Sequence, residues 1–538
     1  MLPGRMSILK DDRGNVAMIF AIAMVPVVVA AGGAVDYSRA VQLQMTVQDA
    51  LDSAALAAGR EIGVLTNAQL HDKAEDYYLA NLGGKLADPP EMTTTITGAS
   101  IKAKATLVSP NSFLGIVGID DFTFDLSAQV TSGIGTLEVA MALDNSGSMG
   151  GTKISTLRSA ATDLAKTLFA LAGTSTKPDP IKIGLVPFAA AVNVGPGYGS
   201  AAWMDTTGVG SYHGDSMDGS ATTVNDFTLL SMMKNQSWAG CVEERKAPYD
   251  VSDDEATPAT PATMFVPMFA PDEPDNWTCS TKKCSYSGKG SNRAYSGAPS
   301  GSQSYNNYLP DNGGNCSGST DTAKTNSSNE QAAFARTCKY KGATPSSITV
   351  NGYSGGPNLL CTTTAVTPLS TSESSVTNAI KAMQAKGMTN IMSGLMWGWR
   401  VLSPAAPFTG GRGYGDTENQ KILILMTDGE NTYRTNGTFL KSDYGAWGYV
   451  SMGHLGTTST SQVTDKMDER TALACTNAKA AGIKIYTVAF QVSDTSTLAM
   501  LKTCATDASM AFQSSSTSAL TAAFQAIGDD ISMLRVSE

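Results

Sequence analysis

Three short stretches of this 538-residue chain carry side chains of the kind that hold a hard cation. Asp144-Asn145-Ser146-Gly147-Ser148 sets one carboxylate and two hydroxyls at alternate positions, directly after the apolar run 137–143. Gly387-Met388-Thr389 supplies a third hydroxyl, and Thr427-Asp428-Gly429 a second carboxylate just after the run 421–426. Magnesium takes about six hard oxygens in near-octahedral order and keeps some of its water. The hydroxyls and carboxylates of these stretches are hard oxygens of that kind. Their types leave magnesium, manganese and calcium all open.

Other chemistry is poorly served. Ser146 is flanked by Asp144 and Ser148 where a nucleophile elbow needs glycine. Gly288-Lys289 lacks the upstream glycine and the following hydroxyl of a phosphate loop. His71, His213 and His454 are far apart in sequence, with neither zinc-protease spacing nor a placed triad partner. The expectation is a binding protein with no catalytic residue. A net charge of −10 and the lack of any Lys/Arg run argue against nucleic acid, whose phosphates need a basic stripe.

The cysteines are unevenly placed. Cys241, Cys279, Cys284, Cys316, Cys338 and Cys361 fall in one stretch, and Cys475 and Cys504 near the end. With no CxxC pair, an even count beyond an apolar segment reads as disulfides in an oxidising compartment. The six leave fifteen pairings open. Cys475 and Cys504 lie on helical segments leading into neighbouring strands and are expected to bond; two buried free thiols are the alternative.

The elements that must position the oxygens follow from periodicity. Apolar runs at 137–143, 181–188, 421–426 and 483–490 read as strands, with a last short one at 510–513. Run 421–426 is almost continuously apolar, as a parallel strand covered on both faces must be. Between the first two strands, Ile154, Leu157, Ala161, Leu164, Ala165, Leu168 and Leu171 recur at helical spacing. Phe524, Ile527, Ile531 and Leu534 form a last stripe. Alternating strands and helices predict a doubly wound, mostly parallel α/β sheet over 136–538. Asp144 and Asp428 then fall beyond the carboxyl ends of two strands, where such sheets collect ligands. Residues 191–375 are rich in Gly, Ser, Thr, Asn and Pro, too long for a plain loop, and read as a disulfide-stapled insertion. Its aromatic patches at 264–277 and 305–311 are expected to pack inside it.

The amino-terminal part differs. Residues 16–35 are uncharged and, as a helix, cover about 30 Å, enough to cross a bilayer. Arg5, Lys10 and Arg13 precede the span and Arg39 follows it, which predicts a cytoplasmic segment 1–15 and an exported bulk. A signal peptide cleaved near Ala31 is the alternative. The apolar run is longer than a usual signal core, and Leu43, Val47, Leu51, Ala54 and Ala55 continue it as a helix, so a retained anchor is expected. Helical character runs from 36 to about 82, where Gly83-Gly84 break it. Period-two alternation at 101–107 and 122–130 then predicts a half-buried antiparallel sheet, making 36–135 a small α+β, pilin-like module.

Two resemblances join these parts. Asp-x-Ser-x-Ser with Thr389 and Asp428 resembles the metal-ion-dependent adhesion site of von Willebrand factor A domains. The resemblance implies that Ser146, Ser148 and Thr389 bind the ion directly, while Asp144 and Asp428 act directly or through water. Three neutral ligands leave the ion electrophilic, so an open position accepts a carboxylate from a partner. The segment Arg13-Gly14-Asn15-Val16-Ala17-Met18-Ile19-Phe20, with Val35-Asp36-Tyr37 and the alanine-rich stretch 50–58, resembles the TadE/TadG-like family of Tad/Flp pilus assembly proteins. Related proteins often carry Glu where this chain has Ile19, which bears on processing. The family implies a single-pass protein of the bacterial inner membrane, partners in the pilus assembly machinery and association with other pilin-like helices. A surface adhesin binding host or matrix protein is the competing role.

Overall fold

The computed structural model describes residues 13–537, apart from 63–64, 87, 98–99, 132–134, 175–176, 216, 220–222, 276–284, 288–293, 297–300, 312 and 317–326. Internal contacts divide the chain into two units, one built mainly from residues 1–134 and one from 135–172 and 177–531.

The first unit starts with one long helix, α1 (Arg13–Gly59), with Pro26 inside it. Val47, Ala50, Leu51, Ala54, Ala55 and Ala58 bury one face of its second half. A second helix, α2 (Asn67–Leu82), adds Leu70, Ala74 and Tyr78. Both lie on an antiparallel sheet of β1 (Thr93–Thr97), β2 (Ser100–Pro110) and β3 (Asp121–Thr131). Register Ala105↔Leu126 turns Ile101, Ala103, Ala105 and Leu107 of β2 and Leu126 and Ala128 of β3 inward. The single helix expected over 36–82 is two helices. At Gly59 a Cβ would stand 2.7 Å from Val130, so the sheet closes on α1 there. Thr66 then starts α2 through a reciprocal capping box with Gln69. Tyr78 is buried against the sheet side of α2 and Tyr77 is exposed. Strand β1, nearly all threonine, had no alternation to reveal it.

The second unit is a mixed α/β fold around a mostly parallel sheet. Its longer strands are β4 (Thr136–Asp144), β5 (Ile181–Phe188), β6 (Thr367–Ser370), β7 (Asn419–Thr427), β8 (Lys484–Phe490) and β9 (Ala511–Ser514). They run in the order β9-β8-β7-β4-β5-β6, parallel except for β6 against β5, and two two-residue strands, Val192–Asn193 and Cys241–Val242, continue the sheet beyond β5 in antiparallel pairing. This is the doubly wound, mostly parallel sheet expected from the sequence. Helices α3 (Thr152–Ala170), α4 (Glu373–Ala382) and α8 (Thr517–Ser537) cover one face, closing Leu157, Leu164, Ile380 and Ile527 over Met141 and Ile424. The opposite face takes α5 (Ile391–Leu402), α6 (Val463–Ala480) and α7 (Thr495–Cys504).

All twelve residues of α5 are buried. Its glycines let it press onto the sheet: a Cβ at Gly394 would stand 2.4 Å from Phe188, and one at Gly398 2.8 Å from Leu423. The 191–375 stretch covers its other side. Ser393 bonds the Glu244 carboxylate, and Arg400 donates to the Asp250 carbonyl (3.3 Å) and lies 4.9 Å from the Phe265 ring. That stretch also supplies β6, so part of it belongs to the central sheet and is no mere excursion. The described residues of its patches pack as expected, with Phe265, Met268, Phe269, Tyr308 and Leu309 buried, while Trp277 lies outside the described residues. Disulfides join Cys241 to Cys361, Cys316 to Cys338, and Cys475 to Cys504. Cys279 and Cys284 lie outside the described residues.

Candidate metal centre

Strand β4 is where the sheet changes direction: β5 lies on one side and β7, reached much later in the chain, on the other. Ligand crevices open beyond strand carboxyl ends at such a point. The register Leu143↔Met426 brings Asp144 beside Thr427, and Asp428 follows. Asp144 is fully buried. One of its oxygens accepts the Ser146 N–H at 2.7 Å, which turns the chain out of the strand, and the other accepts the Thr427 hydroxyl at 2.7 Å. Above it the hydroxyls of Ser146 and Ser148 are 2.9 Å apart, and Ser148 donates to Asp428 Oδ1 at 2.6 Å. Four of the five residues singled out from the sequence therefore form one continuous hydrogen-bonded chain. Gly147 and Ser148 are exposed, so the chain opens to solvent on that side.

Thr389 arrives by its loop. Gly147 N–H donates to the Gly387 carbonyl (2.9 Å) and Lys386 N–H to the Asn145 carbonyl (2.6 Å), which lays 386–390 along the Asp144–Ser148 turn. The backbone of Thr389 is fixed from the far side, its N–H donating to the Thr432 hydroxyl (2.8 Å) and its carbonyl accepting the Thr432 N–H (2.9 Å). Asn390 caps α5, and Asn431 accepts the Ile391 N–H at 2.8 Å, so the 427–432 loop holds the start of that helix. Among the described residues, no hydrogen bond links the Thr389 hydroxyl to the other four.

The electrostatics suit a cation. Burial, followed by the nearby Asp428 charge, pushes Asp144 up to about 6, against the opposing hydrogen bonds from Ser146 and Thr427. A divalent ion beside Asp144 would offset the burial and the neighbouring charge that disfavour its ionised form, and every donor here is a hard oxygen. No group of three or more His, Cys, Asp or Glu side chains is clustered for a metal among the described residues. Such a site would depend on hydroxyls.

Two participants escaped the sequence reading. Lys153, in the first turn of α3, places Nζ 2.7 Å from Asp428 Oδ2. Its signal was its place just after the Asp144–Ser148 motif, though a lysine there reads equally as a solvated helix start. Thr427 was noted only as part of the Thr-Asp-Gly triplet. Its hydroxyl is the brace between Asp144 and the Gly429 carbonyl, which accepts it at 3.0 Å.

Residues 14–61 match the family described as putative Flp pilus-assembly TadE/G-like. The amino-terminal segment is TadE/G-like. This TadE/G-like segment coincides closely with α1, a helix long and apolar enough to cross a membrane. No curated protein matches the chain by sequence. Among solved structures it is similar to the vWF domain of the type V pili tip protein Mfa5 from Porphyromonas gingivalis, at 11% identity and a TM-score of 0.31, covering 75% of this chain and 97% of that one. It is also similar to the pilus adhesin SpaC from Lactobacillus rhamnosus GG, at 12% identity and a TM-score of 0.31, covering 83% of this chain but only 35% of that one. A third is proximal thread matrix protein 1 from the mussel byssus with a zinc-occupied MIDAS motif, at 18% identity and a TM-score of 0.20, covering 36% of each.

Proposed function

We propose that the chain is a membrane-anchored Tad/Flp pilus-assembly protein of the TadG kind, whose A-type sheet binds a divalent cation and, through it, an acidic residue of a protein partner. The observation that carries this reading is the bonded chain Ser146–Ser148–Asp428 standing over Asp144, in a protein whose residues 14–61 match the TadE/G-like family. Ser146, Ser148 and Thr389 would bind the ion directly, with Asp144 and Asp428 balancing its charge. The exposed side at Ser148 leaves room for a partner's carboxylate. Magnesium is the ion first tested, with manganese and calcium beside it. The role is one of binding and assembly, in which the inner membrane holds α1, residues 1–15 stay cytoplasmic, and the bulk is exported.

The test uses the full chain in lipid nanodiscs. Magnesium should raise its melting temperature and a chelator reverse the rise; Asp144→Ala should abolish the response, and cells carrying that variant should make fewer pili. Identical melting with magnesium and chelator, together with normal piliation in the variant, would overturn the proposal.

A further inference from the structure

The turn between β2 and β3 is unlike the rest of its module. Residues 110–119 read Pro-Asn-Ser-Phe-Leu-Gly-Ile-Val-Gly-Ile, without a charge. Leu114–Val117 form one 3-10 turn, and Phe113, Ile116, Val117 and Ile119 remain exposed, Ile116 to 80%. Short loops between strands are ordinarily polar, because nothing but water covers them.

The loop is nevertheless held firmly, and against a particular place. Asp36 turns a nearly buried carboxylate toward it and accepts the N–H groups of Ser112 (3.2 Å), Phe113 (2.8 Å) and Leu114 (2.9 Å). One turn earlier on α1, Gly32 and Gly33 allow close approach: a Cβ would stand 2.5 Å from Phe113 Cβ and 2.9 Å from Leu114 Cδ2. Residues 32–36 are where the apolar run of α1 ends. Tyr37, itself exposed, meets Phe122 edge-on at 6.1 Å beside them. Aromatic rings gather at the level where a membrane meets water. The opposite end of the β2–β3 pair lies by Gly59, about 35 Å further along α1 at 1.5 Å per residue.

We propose that the loop 113–119 is a second membrane-contacting element, seated in the edge of the bilayer that α1 crosses. This rests on the reading of α1 as a transmembrane helix. The argument for lipid as the occupant is continuity: the exposed apolar side chains of the loop extend the exposed apolar surface of α1, with no charge between them except the hydrogen-bonded Asp36. An apolar element lying in the interface plane gains by burying its side chains at the acyl boundary. Anchored at two points, the module is fixed in depth and rotation, which a lone helix leaves to its neighbours.

Tryptophan quenching tests this on the full chain. The natural tryptophans run from Trp203 to Trp447, so a tryptophan added to the amino-terminal unit reads against a fixed background. Met24→Trp, Ile116→Trp and Thr95→Trp are reconstituted separately into phosphatidylcholine–phosphatidylglycerol vesicles carrying lipids brominated high or low on the acyl chain. The expected result is loss of the added emission at 24 and 116, with shallow bromines the stronger quencher at 116, and no loss at 95. Quenching at 24 with 116 behaving like 95 would overturn the proposal and leave the anchor standing. A blue-shifted but unquenched signal at 116 would also overturn it, assigning the loop to a protein contact such as a second copy. Absence of quenching at 24 would remove the transmembrane reading and this proposal with it.

Discussion

Lys153 Nζ lies 2.7 Å from Asp428 Oδ2, on the carboxylate whose other oxygen accepts the Ser148 hydroxyl. The first turn of α3 thus supplies a positive charge to Asp428, whose own charge disfavours ionisation of the buried Asp144. In the proposed function, an incoming divalent ion competes with that lysine for Asp428.

Replacing the competitor should favour the ion. Lys153→Met is expected to bind magnesium more tightly, by up to about fivefold, since a partly exposed pair of this kind is worth at most about 1 kcal/mol. The same variant without metal should melt lower, because Asp428 loses its ion-pair partner. Isothermal titration with magnesium, on the full chain in nanodiscs, measures the first effect; a dissociation constant that is unchanged or weaker contradicts the competition.

Gly394 decides how closely α5 approaches the sheet. Gly394→Ala puts a methyl group 2.4 Å from Phe188 Cδ1, inside a core with no slack. Overpacking of this sort costs about 1–3 kcal/mol. Gly413→Ala, where nothing lies within 4 Å, is the control and should melt as the parent does. Equal melting temperatures for Gly394→Ala and the parent would show that α5 sits further from β5 than described.

The bond between Cys475 and Cys504 ties α6 to α7 across 29 residues of sequence. Closing a loop of that length stabilises the folded state by about 3–4 kcal/mol through the unfolded chain's lost freedom. The double variant Cys475→Ala, Cys504→Ala should show that loss in its denaturant midpoint, while the other disulfides stay intact. A midpoint within error of the parent would mean the bond does not form in the exported protein.

Acid should weaken the 191–375 stretch through Asp205. Burial alone would raise this carboxyl, but hydrogen bonds from His213 and from the Gly210 and Val209 N–H groups outweigh it and hold the group well below the usual carboxylate range. A depressed carboxylate stabilises the fold above its unfolded value of about 4, and that contribution fades as pH falls through the folded value. Asp205→Asn should therefore be less stable than the parent at neutral pH, with the gap narrowing below about pH 4. A gap that widens on acidification would reverse the assignment.

What could be read directly from the residues was whatever depends on neighbours in the chain. The uncharged run 16–35 is long enough to cross a bilayer by its own length. The period-two alternation of β2 and β3, the apolar strands of the second unit and the helical stripes of α3 and α8 declare themselves because each buries a face set by local geometry. The Asp144–Ser148 motif was visible for the same reason, being five consecutive residues after a strand. Tertiary structure decided the rest. The break between α1 and α2 follows from the approach of Val130 to Gly59 and from a cap at Thr66, and β6 exists because β5 offers it an edge. Lys153 joins Asp428 across 275 residues, and Asp36 holds a loop 76 residues and more beyond it. Such partners are chosen by packing in three dimensions, where separation along the chain has no bearing on distance.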